Sequence, residues 1–463
     1  MKRIAIIGGG ISGLSAAFAL EQRRNTGAPL EYTLYESSTS FGGVLRTERV
    51  EGCVVEAGPD SFLTEKPWAS DLCRQVGLGE QLIGSNDGER KTYILVKGRL
   101  IPIPDGLMFM VPTKILPVVL SPLFSRATKL RMSHEWFHPP HQADADESVA
   151  SLVNRHYGPE MVDYLADPLL AGVYGGEASQ LSVRAVLPRF AEMEAKYGSL
   201  GRAMLAARKK MTQGSSPPAP PLFTSLRDGM QSLIEIVLKR LPAAFLRPKT
   251  LVQALEPQDR GWLVSAGYDT DQFDAVIVAT PATAAASLLN SAQSRLASEL
   301  ASIAYSSSVT VALGFDQKVR AALPPGFGFL VPRAENKRLL AATFVHNKFP
   351  HRAPVDRALI RCFLGGSRDA RILDLPDEEI LRIVREELRQ ILSLSAEPLF
   401  TRVYKWRASM AQYAVGHLER LERIERLRQQ LPGLALAGNG YRGIGVPDCV
   451  RSGQEAAEQV LAE

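Results

Sequence analysis

Ile4-Ala5-Ile6-Ile7-Gly8-Gly9-Gly10-Ile11-Ser12-Gly13 is the stretch on which the reading of this chain turns. Its four leading apolar residues have the unbroken character of a parallel strand buried on both faces. The spacing Gly8-x-Gly10-x-x-Gly13 then gives each glycine a task. Gly8 permits a tight turn, Gly10 leaves room for a pyrophosphate to approach the backbone, and Gly13 allows close helix–strand packing. A helical pattern follows through Leu14, Ala17, Phe18 and Leu20, so the helix start offers unpaired N–H groups and a positive dipole end to phosphates. Residues 31–36 (EYTLYE) read as the next strand. Glu36 follows Gly13 at about the 20-residue spacing expected of an acid that hydrogen-bonds ribose hydroxyls. In that full context the pattern predicts a bound dinucleotide.

Outward from this unit, buried-strand character returns at residues 274–279 (DAVIVA) and again at 434–437. Nucleotide-type strands at the start, middle and end imply one discontinuous α/β domain with other modules inserted. Residues 93–104 suggest strands around a Lys97-Gly98 turn, and Leu107 to about Ala207 reads as mostly helical, with segments at 148–156, 160–166 and 185–207. Gly214–Pro221, rich in proline and serine, marks a flexible excursion. Strands are expected near 262–266, 273–279, 309–315 and 359–364, and helices over 229–241, 377–392 and 453–461. The boundaries are drawn at 1–80, 222–290 and 405–463 for the nucleotide domain, 81–104 and 291–404 for a mixed-sheet domain, and 105–221 for the helical insertion.

A chain of 463 residues, 45% hydrophobic and 22% charged, is ordinary globular material for two or three domains. A net charge of +5 is no nucleic-acid footprint. Cys53, Cys73, Cys362 and Cys449 form no C-x-x-C pair, which argues against a disulfide framework or thiolate zinc site and fits a reducing compartment. The first strand begins at once, leaving no room for a signal peptide.

His134-Glu135-Trp136-Phe137-His138 is formally a zinc-peptidase motif. Pro139 pushes His138 out of helical geometry, so the match reads as chance in a solvated loop, and His141 does not rescue it. Residues 107–124 (LMFMVPTKILPVVLSPLF) are the most apolar segment, but Pro112, Pro117, Pro122 and Lys114 argue against a membrane span. A core wall and an interfacial surface backed by Arg126, Lys129 and Arg131 both remain open. The run 419–428 (ERLERIERLR) reads as a solvated helix face, and no catalytic triad can be assembled.

Phe41-Gly42-Gly43-Val44-Leu45-Arg46-Thr47 and Glu56-Ala57-Gly58-Pro59-Asp60-Ser61 resemble flavin-contacting segments of the FAD-dependent amine oxidase superfamily. Residues 170–182 (LAGVYGGEASQLS), 325–332 (PGFGFLVP), 405–417 (KWRASMAQYAVGH) and 438–453 (GNGYRGIGVPDCVRSG) are similar to its oxygen-dependent porphyrinogen oxidases of haem synthesis. The resemblance runs along nearly the whole chain. It implies one non-covalent FAD, with Gly8, Gly10, Ser12 and Gly13 at the pyrophosphate, Glu36 and Ser37 at the adenosine ribose, and Gly43 and Arg46 beside the diphosphate. Gly58, Pro59, Asp60 and Ser61 would flank the ribityl chain and flavin ring, Val252 the adenine, and Trp406 with Gly445, Val446 and Pro447 would cover the flavin. Phe327 and Leu330 would sandwich a pyrrole, Gly172 would leave room for the macrocycle, and Thr92 would meet a propionate. Each has a plain alternative: core packing for Trp406, Phe327 and Leu330, a helix-start turn for Gly445, a helix end for Gly172.

The implied reaction is a six-electron oxidation, with hydride passing to flavin N5, oxygen as acceptor and peroxide as product. The flavin carries the redox step, so the absence of an identifiable residue base is no contradiction. Thr92 stands where protoporphyrinogen IX enzymes commonly carry arginine, which leans the substrate toward coproporphyrinogen III. Arg90, Lys91 and Lys97 are spare cations for its four propionates. The alternatives are protoporphyrinogen IX itself, another flavin amine oxidase or desaturase, and a non-enzymatic dinucleotide-binding module. Expected partners are a porphyrinogen and oxygen, with no metal and no nucleic acid. A cytoplasmic location is expected, with peripheral contact on the inner face of the cell membrane and a homodimer left open.

Overall fold

A computed structural model describes residues 1–108, 110–141, 145–212 and 220–462. β1 (Lys2–Ile7), α1 (Ile11–Asn25) and β2 (Leu30–Tyr35) form the expected β-α-β unit. β1 lies at the centre of a five-stranded sheet, paired in parallel with β2 on one side and Ala275–Val278 on the other. Leu246–Arg247 and Leu434–Leu436 complete its edges, also in parallel. Burial of Ile4, Ala5 and Ile6 without exposure on either face is why the run lacks alternation.

The closing helix, Val446–Ala462, packs on α1. It starts before the segment expected at 453–461, because Gly445 accepts its first backbone hydrogen bond, from Cys449 N. Gly453 faces α1 so closely that a Cβ there would overlap the Ser12 carbonyl oxygen. The two helices are therefore held backbone to backbone.

A second, seven-stranded sheet runs in the order Phe400–Ala411, Tyr305–Asp316, Arg357–Gly365, Leu339–Phe344, Gly328–Leu330, Thr92–Val96 and Arg99–Pro102. It is mixed, since Gly328–Leu330 pairs in parallel with Thr92–Val96 while the other neighbours are antiparallel. Its inner face packs on the amphipathic helix Asp377–Leu392.

The region after Leu107 differs in detail from the expectation. It opens with a small hairpin, Leu107–Met108 with Val111–Pro112, before its helices begin. The helix expected over 185–207 is three, Val183–Val186, Pro188–Tyr197 and Leu200–Thr212. Gly198, at φ +72°, ends the second, where a Cβ would overlap the backbone of His138 and Pro139. The excursion expected at Gly214–Pro221 lies, through residue 219, outside the described residues. Among those described, no helix is long and apolar enough to cross a membrane.

Candidate functional site

The three fingerprint glycines have different surroundings. A Cβ on Gly8 would crowd the Ala279 carbonyl, and one on Gly13 would overlap the Gly8 carbonyl oxygen, so both are consumed by packing. Gly10 is different: nothing of the protein lies within 4 Å of where its Cβ would stand. Gly10 also precedes the first turn of α1, which has no side-chain cap and no acidic residue. Open space over a bare helix start is the cradle a pyrophosphate fits. Gly42 N donates to Gly9 O at 2.8 Å, bringing Gly43 against Gly10, where the Gly10 Cα lies 3.6 Å from the position of a Gly43 Cβ. The Arg46 guanidinium is mostly exposed, 3.9 Å from Glu48.

Glu36 is aimed by the backbone. Its Oε2 accepts from Gly9 N at 2.8 Å and its Oε1 from Ser38 N at 2.7 Å, while Ser37 Oγ lies 3.4 Å from Oε1. Thr250 N bonds to Glu36 O at 2.8 Å, which carries the strand Val252–Pro257 past this corner and places Val252 near it.

The segment from Glu56 to Ser61 is gripped from three directions. Trp406 Nε1 donates to Ala57 O at 2.8 Å, Ser225 Oγ to Asp60 O at 2.5 Å, and Arg361 Nη2 to Gly58 O at 2.6 Å. Glu56 accepts from Arg352 at 2.6 Å, from Met230 N at 2.8 Å and from Thr47 Oγ1 at 2.6 Å. Asp60 pairs with Lys348 at 3.1 Å and Arg361 at 3.3 Å. Burial pushes the Asp60 carboxyl up, but Lys348 and Arg361 outweigh it and hold it below the usual carboxylate range. Lys348, Arg352, Arg361 and Ser225 escaped the sequence reading. Only Arg361 left a signal, as a charge inside the otherwise apolar run 358–365.

The turn containing Gly445, Val446 and Pro447 is fixed by Tyr413, whose hydroxyl donates to Asn439 O and accepts from Gly443 N, both at 2.8 Å. Lys66 anchors Asp448 in the first turn of the closing helix at 2.7 Å.

Of the four residues assigned to substrate, Thr92 and Leu330 lie on neighbouring strands of the second sheet, and Gly172 approaches Leu330 from a helix. Thr92 pairs with Gly328 and Ile94 with Leu330, which sets Thr92 and Leu330 on adjacent strands. Gly172 sits on Asp167–Tyr174, its missing Cβ 3.9 Å from Leu330 Cδ2. Phe327 is largely buried, its N bonded to Lys91 O at 2.7 Å, so it packs beside this group while Leu330 stays partly open.

The zinc-like motif has another use. His138 has ψ 127°, out of the helix as Pro139 dictates, and His134 is exposed. The solvated-loop expectation fails at Glu135, which is buried. Its carboxylate accepts from Leu200 N and Ser199 Oγ at the start of Leu200–Thr212 and faces His156 Nδ1 at 3.2 Å. Glu194 lies 2.9 Å from His156 Nε2, and despite burial the two carboxylates raise the His156 pKa. This is a structural helix cap. Among the described residues no group of His, Cys, Asp and Glu could hold a metal. Cysteine chemistry is disfavoured as well, because burial pushes the thiols of Cys53 up to about 11 and of Cys73 and Cys449 up to about 12.

Residues 11–461 match the family described as flavin containing amine oxidoreductase. The coproporphyrinogen III oxidase of Bacillus subtilis (strain 168) is 35% identical, over 99% of this chain and 98% of its own length. The protoporphyrinogen oxidase 2, chloroplastic/mitochondrial, of Arabidopsis thaliana is 28% identical over 100% of this chain and 94% of its own. A crystal structure from Exiguobacterium sp. 255-15, assigned as a protoporphyrinogen oxidase, superposes with a TM-score of 0.88 at 30% identity. It spans 100% of this chain and 99% of that one.

Proposed function

Because the chain belongs to the flavin containing amine oxidoreductase family, we propose that it oxidises coproporphyrinogen III to coproporphyrin III in haem synthesis, with oxygen as acceptor and peroxide as product. The enzyme is an FAD-dependent oxidoreductase: it belongs to a flavin family and carries a dinucleotide fingerprint, and FAD is the flavin that is a dinucleotide. The observation that carries the substrate reading is the approach of Gly172 to Leu330, on the strand next to that of Thr92, in a chain similar along its length to coproporphyrinogen III oxidases of bacteria.

Bound FAD supplies the two-electron acceptor that the side chains lack. The protein binds, orients and excludes water. Gly8, Gly10, Ser12 and Gly13 hold the pyrophosphate, with Gly43 and Arg46 at its side. Glu36 and Ser37 take the ribose, and Val252 lies at the adenine. Gly58, Pro59, Asp60 and Ser61 line the ribityl chain and ring, held there by Trp406, which with Gly445, Val446 and Pro447 closes over the flavin. Leu330 and Phe327 grip a pyrrole, Gly172 leaves the width for the macrocycle, and Thr92 meets a propionate. No side chain is assigned as base.

In this reading the five-stranded sheet belongs to a flavin domain of residues 1–80, 222–290 and 405–463. The seven-stranded sheet belongs to a substrate domain of 81–104 and 291–404, with 105–221 as the helical insertion. The strand Phe400–Ala411 crosses the 404/405 boundary, so Trp406 belongs to the flavin domain's segment but stands on a strand of the seven-stranded sheet.

The substrate assignment is tested by kcat/KM for coproporphyrinogen III and protoporphyrinogen IX on the same preparation, followed by porphyrin fluorescence. At least a tenfold preference for the four-propionate substrate is expected, since one carboxylate contact contributes about 1–3 kcal/mol. Equal rates, or preference for protoporphyrinogen IX, would make the smaller set of carboxylates sufficient and overturn the assignment.

Peripheral contact with the inner face of the cell membrane fits the helix Ile115–Leu120. Ile115 is 66% exposed, Leu116 67% and Leu120 73%, while Val118 points into the core. Lys129, on the next helix, bonds to Ser121 O at 2.7 Å, which ties that helix, with its exposed Arg126 and Arg131, to the apolar one. The protein is expected to sediment with vesicles containing anionic lipid and to stay in solution after Leu116→Glu with Leu120→Glu. Equal sedimentation of both would remove this helix from the account.

A further inference from the structure

The two carboxylates of the segment 56–61 are buried together with three cations that pack behind it. Glu56 is paired with Arg352 at 2.6 Å, and Asp60 with both Lys348 and Arg361. None of these side chains is more than 15% exposed. Removing ions from water is costly, and pairing offsets it only where charges balance and hydrogen bonds are complete. Here they do not balance. Arg352 takes up the charge of Glu56, and Asp60 is left against two cations. Its carboxylate stays ionised, as noted above; burial lowers the Lys348 pKa, while the adjoining Asp60 carboxylate acts to keep its ammonium charged. The other neighbours of Lys348 are neutral: Ser61 Oγ at 3.1 Å and the rings of Phe223 and Phe349 at 4.5 and 5.1 Å. One surplus positive charge is thus held in a dry place, where its field is weakly screened.

The same two cations touch the turn itself. Arg361 donates to Gly58 O at 2.6 Å, and Lys348 bridges Asp60 and Ser61. We propose that Lys348 and Arg361 are positioning and tuning residues for the flavin: they pin the Gly58–Ser61 turn and leave behind it a positive charge that favours negative charge on the cofactor. The inference rests on the reading above, in which that turn lines the flavin. Two-electron reduction with uptake of one proton leaves one negative charge on the ring, so the surplus cation makes the flavin easier to reduce.

The experiment uses the holoenzyme and its Lys348→Met, Lys348→Arg and Asp60→Asn variants. Midpoint potentials are read by equilibration with a reference dye, and FAD retention by absorbance after ultrafiltration. Lys348→Met is expected to shift the reduction equilibrium about tenfold against reduction, roughly 30 mV for two electrons. Asp60→Asn, which enlarges the surplus, is expected to shift it as far the other way, and Lys348→Arg to restore the parent value. A loosened turn alone would move Lys348→Met and Asp60→Asn in the same direction, so opposite signs separate charge from damage. If Lys348→Met does not fold, Lys348→Gln makes the same comparison. Bound flavin whose potential moves less than twofold in equilibrium, or moves one way in both variants, overturns this inference alone. A parent protein that neither retains nor takes up flavin overturns the flavin reading and this inference with it.

Discussion

Gly453→Ala is expected to give protein that melts lower and holds flavin at least tenfold more weakly. The added methyl would overlap the Ser12 carbonyl oxygen and come within 3.1 Å of Ala16 N, both of them backbone atoms of α1. A flexible side chain could swing aside, but a helix backbone cannot. The closing helix must therefore move away from α1, and insertion of this kind costs about 1–3 kcal/mol, more where backbone is struck. The damage spreads to function because each helix begins at the candidate flavin site. α1 starts under Gly10, and the closing helix starts at the turn pinned by Tyr413. Thermal melting with and without added FAD, together with flavin titration, checks this. Unchanged FAD affinity would mean that the packing of the two helices does not set the cradle.

Arg352→Met is expected to cost about 3–5 kcal/mol, the range for removing one partner of a buried ion pair. Arg352 is 1% exposed and Glu56 3%, so water cannot replace the lost guanidinium. Glu56 keeps the Met230 amide and the Thr47 hydroxyl, but its charge is left unpaired. Ser225, which also bonds Arg352 and holds the Asp60 carbonyl, loses an anchor. Adding Glu56→Gln should recover a large part of the loss, because the uncompensated charge rather than the missing contact dominates it. Chemical denaturation of the two single variants and the double variant measures the coupling. A loss under about 1 kcal/mol for Arg352→Met would show that the network does not brace the segment.

The contrast between these two positions explains what could be read ahead. Gly8, Gly10 and Gly13 answer local steric demands of a strand–turn–helix unit, so their spacing is visible in ten residues. The strands at 4–7, 274–279 and 434–437 were legible because burial on both faces removes alternation. His138 was readable for the same local reason, since Pro139 alone sets its backbone.

Lys348, Arg352 and Arg361 answer to carboxylates nearly three hundred positions earlier in the chain. Charges that pair across such distances leave no period, and only an apolar neighbourhood hints at them. Glu135 misled for a related reason: its burial comes from His156, Ser199 and Leu200, none of which adjoins it in sequence. The break at Gly198 was missed because a glycine in a helical pattern does not reveal whether its φ is positive.

Aerobic incubation of the FAD-loaded protein with coproporphyrinogen III, recording porphyrin fluorescence and dissolved oxygen together, tests whether the chain is a porphyrinogen oxidase. Fluorescence is expected to rise only with enzyme and oxygen, with one peroxide formed for each electron pair removed. Flavin-loaded protein that yields no porphyrin from coproporphyrinogen III or protoporphyrinogen IX, yet bleaches with an amine, would contradict that reading.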